Sequence, residues 1–173
     1  MTTETNPEME DVVPGPDTQK AFRDALGRFA TGVTVVTTDS EIGPLGITAN
    51  SFASVSLDPP LVLWSPAKSS RRYEAFAEAK DFAIHVIGAE QAEISARFSR
   101  DGTAFEGCDW TPSDRGVPLL NGCLARFECQ TEATHDGGDH RIVVARVLRA
   151  SWRDGAPLVF SQGQMGLFAP PEI

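Results

Sequence analysis

The sequence predicts a mainly β domain, an antiparallel barrel with appended helices, and three observations carry that expectation. Six or seven runs of strand length are spread along the 173 residues, only three segments have helical spacing, and two long β segments flank a glycine-containing turn. Regular βαβ alternation is missing, and so is a Gly-x-Gly-x-x-Gly fingerprint, which sets a doubly wound parallel sheet aside. The length suits one domain, and 41% hydrophobic residues supply a core.

The elements follow in order. Asp17 is placed to cap a first helix, whose apolar residues Phe22, Leu26, Phe29 and Ala30 recur at helical spacing before Thr31-Gly32 ends it. Val33 to Thr38 is β-branched and reads as a strand; Asp39 to Pro44 turns, and Leu45 to Thr48 and Phe52 to Leu57 follow as short strands. Pro59 and Pro60 are expected outside any ladder, because neither has an N–H to donate. Leu61 to Trp64 is an apolar strand that empties into the loop Ser65-Pro66-Ala67-Lys68-Ser69-Ser70, after which Tyr73 and Phe76 mark the inner face of a second helix. Phe82 to Ile87 returns as a strand, and Glu90 to Phe98 forms a third helix with Ile94 and Phe98 paired. Cys123 to Glu132 and Arg141 to Trp152 are the long β segments, joined antiparallel through His135 to His140, where Gly137 and Gly138 are expected to supply positive φ. Leu158 to Phe160 is the last strand.

Charge narrows the partners. The net charge is −9, but Glu4, Glu8, Glu10, Asp11 and Asp17 all precede the first base, Lys20, so the remaining chain sets 15 bases against 19 acids. A mildly acidic body lacks the positive field that nucleic-acid phosphates demand. Residues 1–17 are expected to be a disordered acidic tail with neither the basic nor the apolar region of a signal peptide, and residues 18–173 the folded domain. The longest uncharged stretch, Ile42 to Leu57, is broken by glycines, a proline and hydroxyls, so no membrane span is expected. Cys108, Cys123 and Cys129 are odd in number and form no Cys-x-x-Cys pair, which points to unpaired thiols and a cytoplasmic address. Cys123 and Cys129 are expected on one face of a strand, as small buried hydrophobes.

Chemistry concentrates in three places. Lys68, Arg71 and Arg72 crowd positive charge at the expected start of a helix, where the dipole opposes it unless an anion sits opposite, and Ser69 and Ser70 add hydroxyls; a phosphate fits that pattern. A capped helix with bases reaching into water is the plain alternative. Thr48-Ala49-Asn50-Ser51 interrupts apolar alternation between two strands, which suits either a flat heterocycle with a polar rim or a self-satisfied crossover. His135 and His140 with Asp136 and Asp139 match no standard zinc spacing, so no metal is assigned, and His85 reads as a satisfied core histidine. Without Gly-x-Ser-x-Gly, His-Glu-x-x-His or a Walker loop, any chemistry has to come with a cofactor, and the residues alone reach a phosphate-bearing flat ligand on a small barrel. An electron carrier that retains such a ligand and a non-catalytic ligand-binding barrel both satisfy them.

Phe22-Arg23-x-Ala25-Leu26-x-x-Phe29-Ala30-Thr31-Gly32-Val33, Gly46 to Phe52, Ser54 to Val62 and Gly138-Asp139-His140 together resemble the short-chain flavin reductase family, from about Phe22 to Phe168. The resemblance implies an antiparallel Greek-key split barrel that binds FMN or FAD, a homodimer, and NADH or NADPH as hydride donor. It implies reduction of flavin by hydride transfer, with the reduced flavin passed to a separate monooxygenase component. Carried onto this chain, it implies flavin contacts at Thr48, Ala49, Asn50 and Ser51, and phosphate contacts at Ser65, Lys68, Ser69 and Ser70. It also implies a flanking stretch Arg97-Phe98-Ser99, and His140 where the nicotinamide docks. Met165 stands where many members carry an aromatic residue, and a thioether packs on a ring but cannot donate a hydrogen bond.

Overall fold

A seven-stranded, wholly antiparallel sheet organises the molecule in the computed structural model, which describes residues 9–170. Around it lie α1 (Gln19–Leu26) and β1 (Thr31–Gly32) at the start, α2 (Tyr73–Ala77) and α3 (Ala92–Arg100) in the middle, and the short strands β7 (Trp110–Pro112), β8 (Pro118–Leu120), β11 (Leu158–Ser161) and β12 (Gln164–Leu167). The main sheet uses β2 (Thr34–Ser40), β3 (Gly43–Ala49), β4 (Ala53–Leu57), β5 (Pro60–Trp64), β6 (Asp81–Val86), β9 (Ala125–Gly137) and β10 (His140–Trp152), in the order β3-β2-β6-β9-β10-β5-β4.

That order explains the barrel. β3 and β4 sit at opposite ends of the sheet, yet only Asn50, Ser51 and Phe52 separate them in the chain. Seven strands spaced about 4.8 Å apart would, if flat, put those ends about 29 Å apart. The step from Ala49 to Ala53 spans at most about 14 Å. The sheet must therefore curl until its ends approach, and since β3 and β4 do not pair, the barrel is split rather than closed.

Strand periodicity sorts the core into two layers. Val36, Leu45, Ile47, Val62, Trp64, Phe82, Ile84, Val143 and Ala145 come from strands near both ends of the sheet and pack together with Phe76 of α2, which identifies the concave side. Alternate residues Val33, Val35 and Ile87 face outward and are covered by Phe98 of α3 with Phe105, Leu120 and Leu158. β2 is thus buried on both faces, which is why it reads as a continuous β-branched run.

Several expectations are corrected. Asp17 is not the cap: a 3-10 turn at Pro16–Thr18 precedes α1, which puts Asp17 inside helical structure and Thr18 at the boundary, with its hydroxyl turned back to the Val13 carbonyl at 2.8 Å. Of the expected tail, residues 1–8 lie outside the described residues. No residue of α1 is buried, and Phe29 and Ala30 fall beyond its end. Pro60 opens β5 and pairs with Leu57, because a first strand residue needs no N–H in the ladder. Cys123 precedes β9, while Cys129 is buried and its thiol is pushed up to about 12 by desolvation. Of the two hairpin glycines only Gly138 has positive φ, 72°; Gly137 ends β9 opposite His140, so Gly138-Asp139 forms the two-residue turn.

Candidate functional site

The crossover between β3 and β4 is built by hydroxyls. Thr34 donates to the Ala49 carbonyl at 2.7 Å, fixing the last peptide of β3, and Thr48 donates to the Ser95 carbonyl of α3 at 2.6 Å. The Ser51 hydroxyl lies between the Ser65 N–H, which donates to it at 2.9 Å, and the Ser65 carbonyl at 3.2 Å. Thr48 and Ser51 are thus committed to positioning, as the self-satisfied crossover required, whereas Asn50 is exposed and its amide makes no hydrogen bond to protein among the described residues.

The cationic loop departs from its expected setting. α2 spans only Tyr73–Ala77, too short for a substantial dipole. Arg72 instead reaches across to donate to the carbonyls of Gly46, at 3.1 Å, Phe98, at 2.6 Å, and Ser99, at 3.1 Å. It satisfies orphan carbonyls at the end of α3 and locks that helix to β3. Lys68 forms an ion pair with Asp136 and donates to the Gly138 carbonyl at 2.6 Å. Ser69 is exposed with a free hydroxyl among the described residues, and Ser70 accepts the Arg72 N–H at 3.2 Å, leaving its own proton to donate.

The hairpin tip joins this loop. The Lys68 N–H donates to the Asp139 carbonyl at 2.8 Å, the Arg141 N–H to the Pro66 carbonyl at 3.1 Å, and Ala67 bridges His140. Residues 66–68 therefore extend the β10 edge, and Lys68 and His140 share one rim. Asp139 accepts from His140 Nδ1 at 2.7 Å, which lowers the Asp139 carboxyl below its ordinary range and, in the neutral ring, leaves Nε2 with a free lone pair.

Phe98 is fully buried, its ring packed edge-on against Phe105 at 4.9 Å and seated directly under Gly46, where any Cβ would fall 2.6 Å from the ring. Of the Phe98-Ser99 pair only Ser99 presents an exposed side chain, its hydroxyl donating to Ala96 at 2.8 Å. His85 lies outside the site: its Nδ1 donates to the Val35 carbonyl at 2.9 Å and its Nε2 accepts the Leu120 N–H at 3.0 Å. Among the described residues no three His, Cys, Asp or Glu side chains gather to hold a metal ion. A concavity of about 780 Å³ lined by Asp39, Glu74, Glu78 and Lys80 shares only Arg71 and Arg72 with the cationic loop; its mixed charge and open shape give it no matched ligand. Sequence reasoning missed two parts of the site, the carbonyl clamp of Arg72 and the partnership of Asp136 with Lys68. Neither has a local signal, since each joins segments far apart in the chain.

A barrel of this order, with a hydroxyl crossover, a serine-lysine loop and a Gly-Asp-His turn on one side, has close relatives. The model described as "Flavin reductase like domain" matches residues 26–168. The FMN reductase (NADH) SmoA of Agrobacterium fabrum is 61% identical over 157 residues, covering 91% of this chain and 90% of that protein. The reductase subunit HsaB of a flavin-dependent monooxygenase from Rhodococcus jostii is 46% identical, covering 84% of this chain and 75% of that one. Among solved structures, the NADH:FAD oxidoreductase SgcE6 of Streptomyces globisporus superposes with a TM-score of 0.88 at 35% identity, over 98% of this chain and 97% of that one. With the split barrel, the length of the match and the motif positions in agreement, the chain belongs to the flavin reductase like family.

Proposed function

We propose that the protein is an NADH-dependent flavin reductase that works on FMN and hands reduced flavin by diffusion to a separate flavin-dependent monooxygenase component. The name of the Agrobacterium relative supports the FMN and NADH pairing, and that of the Rhodococcus relative supports delivery to a monooxygenase. The observation that carries the reading is the join between the Ser65–Ser70 loop and the hairpin tip, which brings Lys68 and His140 onto one rim. The fit to flavin rests on available groups: the Ser69 hydroxyl, the Ser70 proton and the Asn50 amide are uncommitted among the described residues, and the Lys68 ammonium keeps one proton beyond those given to Asp136 and Gly138.

Bound flavin supplies the hydride-accepting chemistry, which no side chain here possesses. Lys68, Ser69 and Ser70 hold its phosphate, with Ser65 fixed behind them by Ser51. The Thr48, Ala49 and Asn50 backbone, with the exposed Asn50 amide, would border the ring and ribityl chain of a bound flavin. Phe98 supports this seam from inside, and Ser99 borders it. His140, oriented by Asp139, would help to position the nicotinamide. A second copy of this chain is the expected partner, supported by the exposed apolar residues Leu26, Phe29, Met165 and Leu167 on α1, the segment after it and β12. The cytoplasm is the proposed address, supported by three free cysteines. No helix among the described residues is long and apolar enough to cross a membrane.

Stopped-flow reduction of FMN by NADH tests the reading. His140→Ala is expected to leave the FMN Kd near its wild-type value and to lower kcat/KM for NADH roughly tenfold, the loss of one orienting contact. Wild-type NADH dependence in the folded variant would remove His140 from the nucleotide site.

A further inference from the structure

Lys68 is the one cation of the proposed phosphate loop whose ammonium already has an anionic partner. Asp136, on β9 near the hairpin tip, occupies it, and the Gly138 carbonyl takes a second of its three protons. Asp136 itself is largely exposed, no apolar contact requires it there, and Lys68 holds its carboxyl below the ordinary range. Of the other acids nearby, Asp139 is occupied by His140. A phosphate arriving at this loop therefore meets an ammonium that a carboxylate is already holding.

We propose that Asp136 competes with the flavin phosphate for Lys68 and thereby holds flavin affinity low enough for the product to leave. The inference rests on the flavin reading above and deepens it: Lys68 attracts the phosphate, and Asp136 sets how much of that attraction is realised. The pair is exposed, so the competition is modest and screened by salt. Only ligands with a phosphate feel it.

Fluorescence titration of the flavin-free protein with FMN and with riboflavin, which lacks the phosphate, separates the inference from the reading beneath it. Asp136→Asn is expected to tighten FMN about two- to fivefold, the size of one exposed ion pair, while riboflavin affinity stays unchanged. Asp136→Glu, which keeps the charge, is expected to retain wild-type FMN affinity. Lys68→Ala is expected to weaken FMN and spare riboflavin. Unchanged or weaker FMN binding in Asp136→Asn, or an equal change for riboflavin, would overturn the competition, and the flavin reading would stand if Lys68→Ala still weakened FMN alone. Equal FMN affinity in Lys68→Ala and wild type would instead sink the phosphate assignment itself.

Discussion

His85 shows what a buried titratable side chain does when function makes no use of it. It has no exposure, both ring nitrogens are bonded to backbone, and desolvation pushes its pKa down to about 4. Its neutral form is the native form. Between that value and the ordinary one near 6.5 the unfolded chain binds a proton that the native state refuses, so stability rises with pH through this window and falls as pH drops from about 6.5 to about 4. The expected loss is of order 3 kcal/mol, read as a fall in the urea midpoint between pH 7.5 and pH 4.5. His85→Gln keeps a donor and an acceptor but cannot titrate, and is expected to flatten that slope; an unchanged slope would assign it to the carboxylates. At this scale the sequence was legible where a residue declares its own chemistry. His85 within an apolar strand could be read as a satisfied core histidine, whereas the partners of Lys68 and Arg72 could not, because side-chain pairing across the fold leaves no spacing to detect.

The seam between α3 and β3 is the element on which the crossover depends. Gly46 lets the Phe98 ring lie against the β3 backbone, and two turns of contact, Thr48 to Ser95 and Arg72 to Gly46 and Phe98, close the seam on either side. Gly46→Ala is expected to destabilise by about 1–3 kcal/mol through overpacking, measured as a lower unfolding midpoint. Combining it with Phe98→Leu, which opens room beneath the new methyl, is expected to cost less than the sum of the single changes; strict additivity would show that the ring and the glycine do not touch. Long strands with one or two buried faces, such as β2, β6 and β10, were readable because burial imposes their period. β1, β7, β8 and β12 were not, since strands of two to four residues carry too little pattern and are held by hydrogen bonds to distant partners.

Across the whole molecule, the apolar residues left outside are as informative as those within. Leu26 and Phe29 are 59% and 79% exposed, and the segment they belong to is tied to the β11–β12 turn, where the Gln162 N–H donates to the Gly27 carbonyl at 2.9 Å. These exposed side chains are the ones on which the proposed homodimer rests. Leu26→Glu with Phe29→Glu is expected to weaken self-association at least tenfold in sedimentation experiments, since each buried side chain contributes about 1.5–3 kcal/mol; a wild-type protein already monomeric at working concentration would refute the homodimer. The barrel class was legible from the count and antiparallel run of strands, but the sheet order was not, because which strands meet is decided by closure of the whole sheet. That order also has a consequence during synthesis. β5 leaves the ribosome early, yet Val62 has to wait for Ala145 before its second edge is paired, and Lys68 has to wait for the hairpin tip. A nascent chain ending before β10 holds the sheet as two separate pieces, β3-β2-β6-β9 and β5-β4, with open edges and no completed rim for the proposed flavin site, so that site forms only when nearly all of the chain has been made, and folding is governed by the slow closure of distant strands.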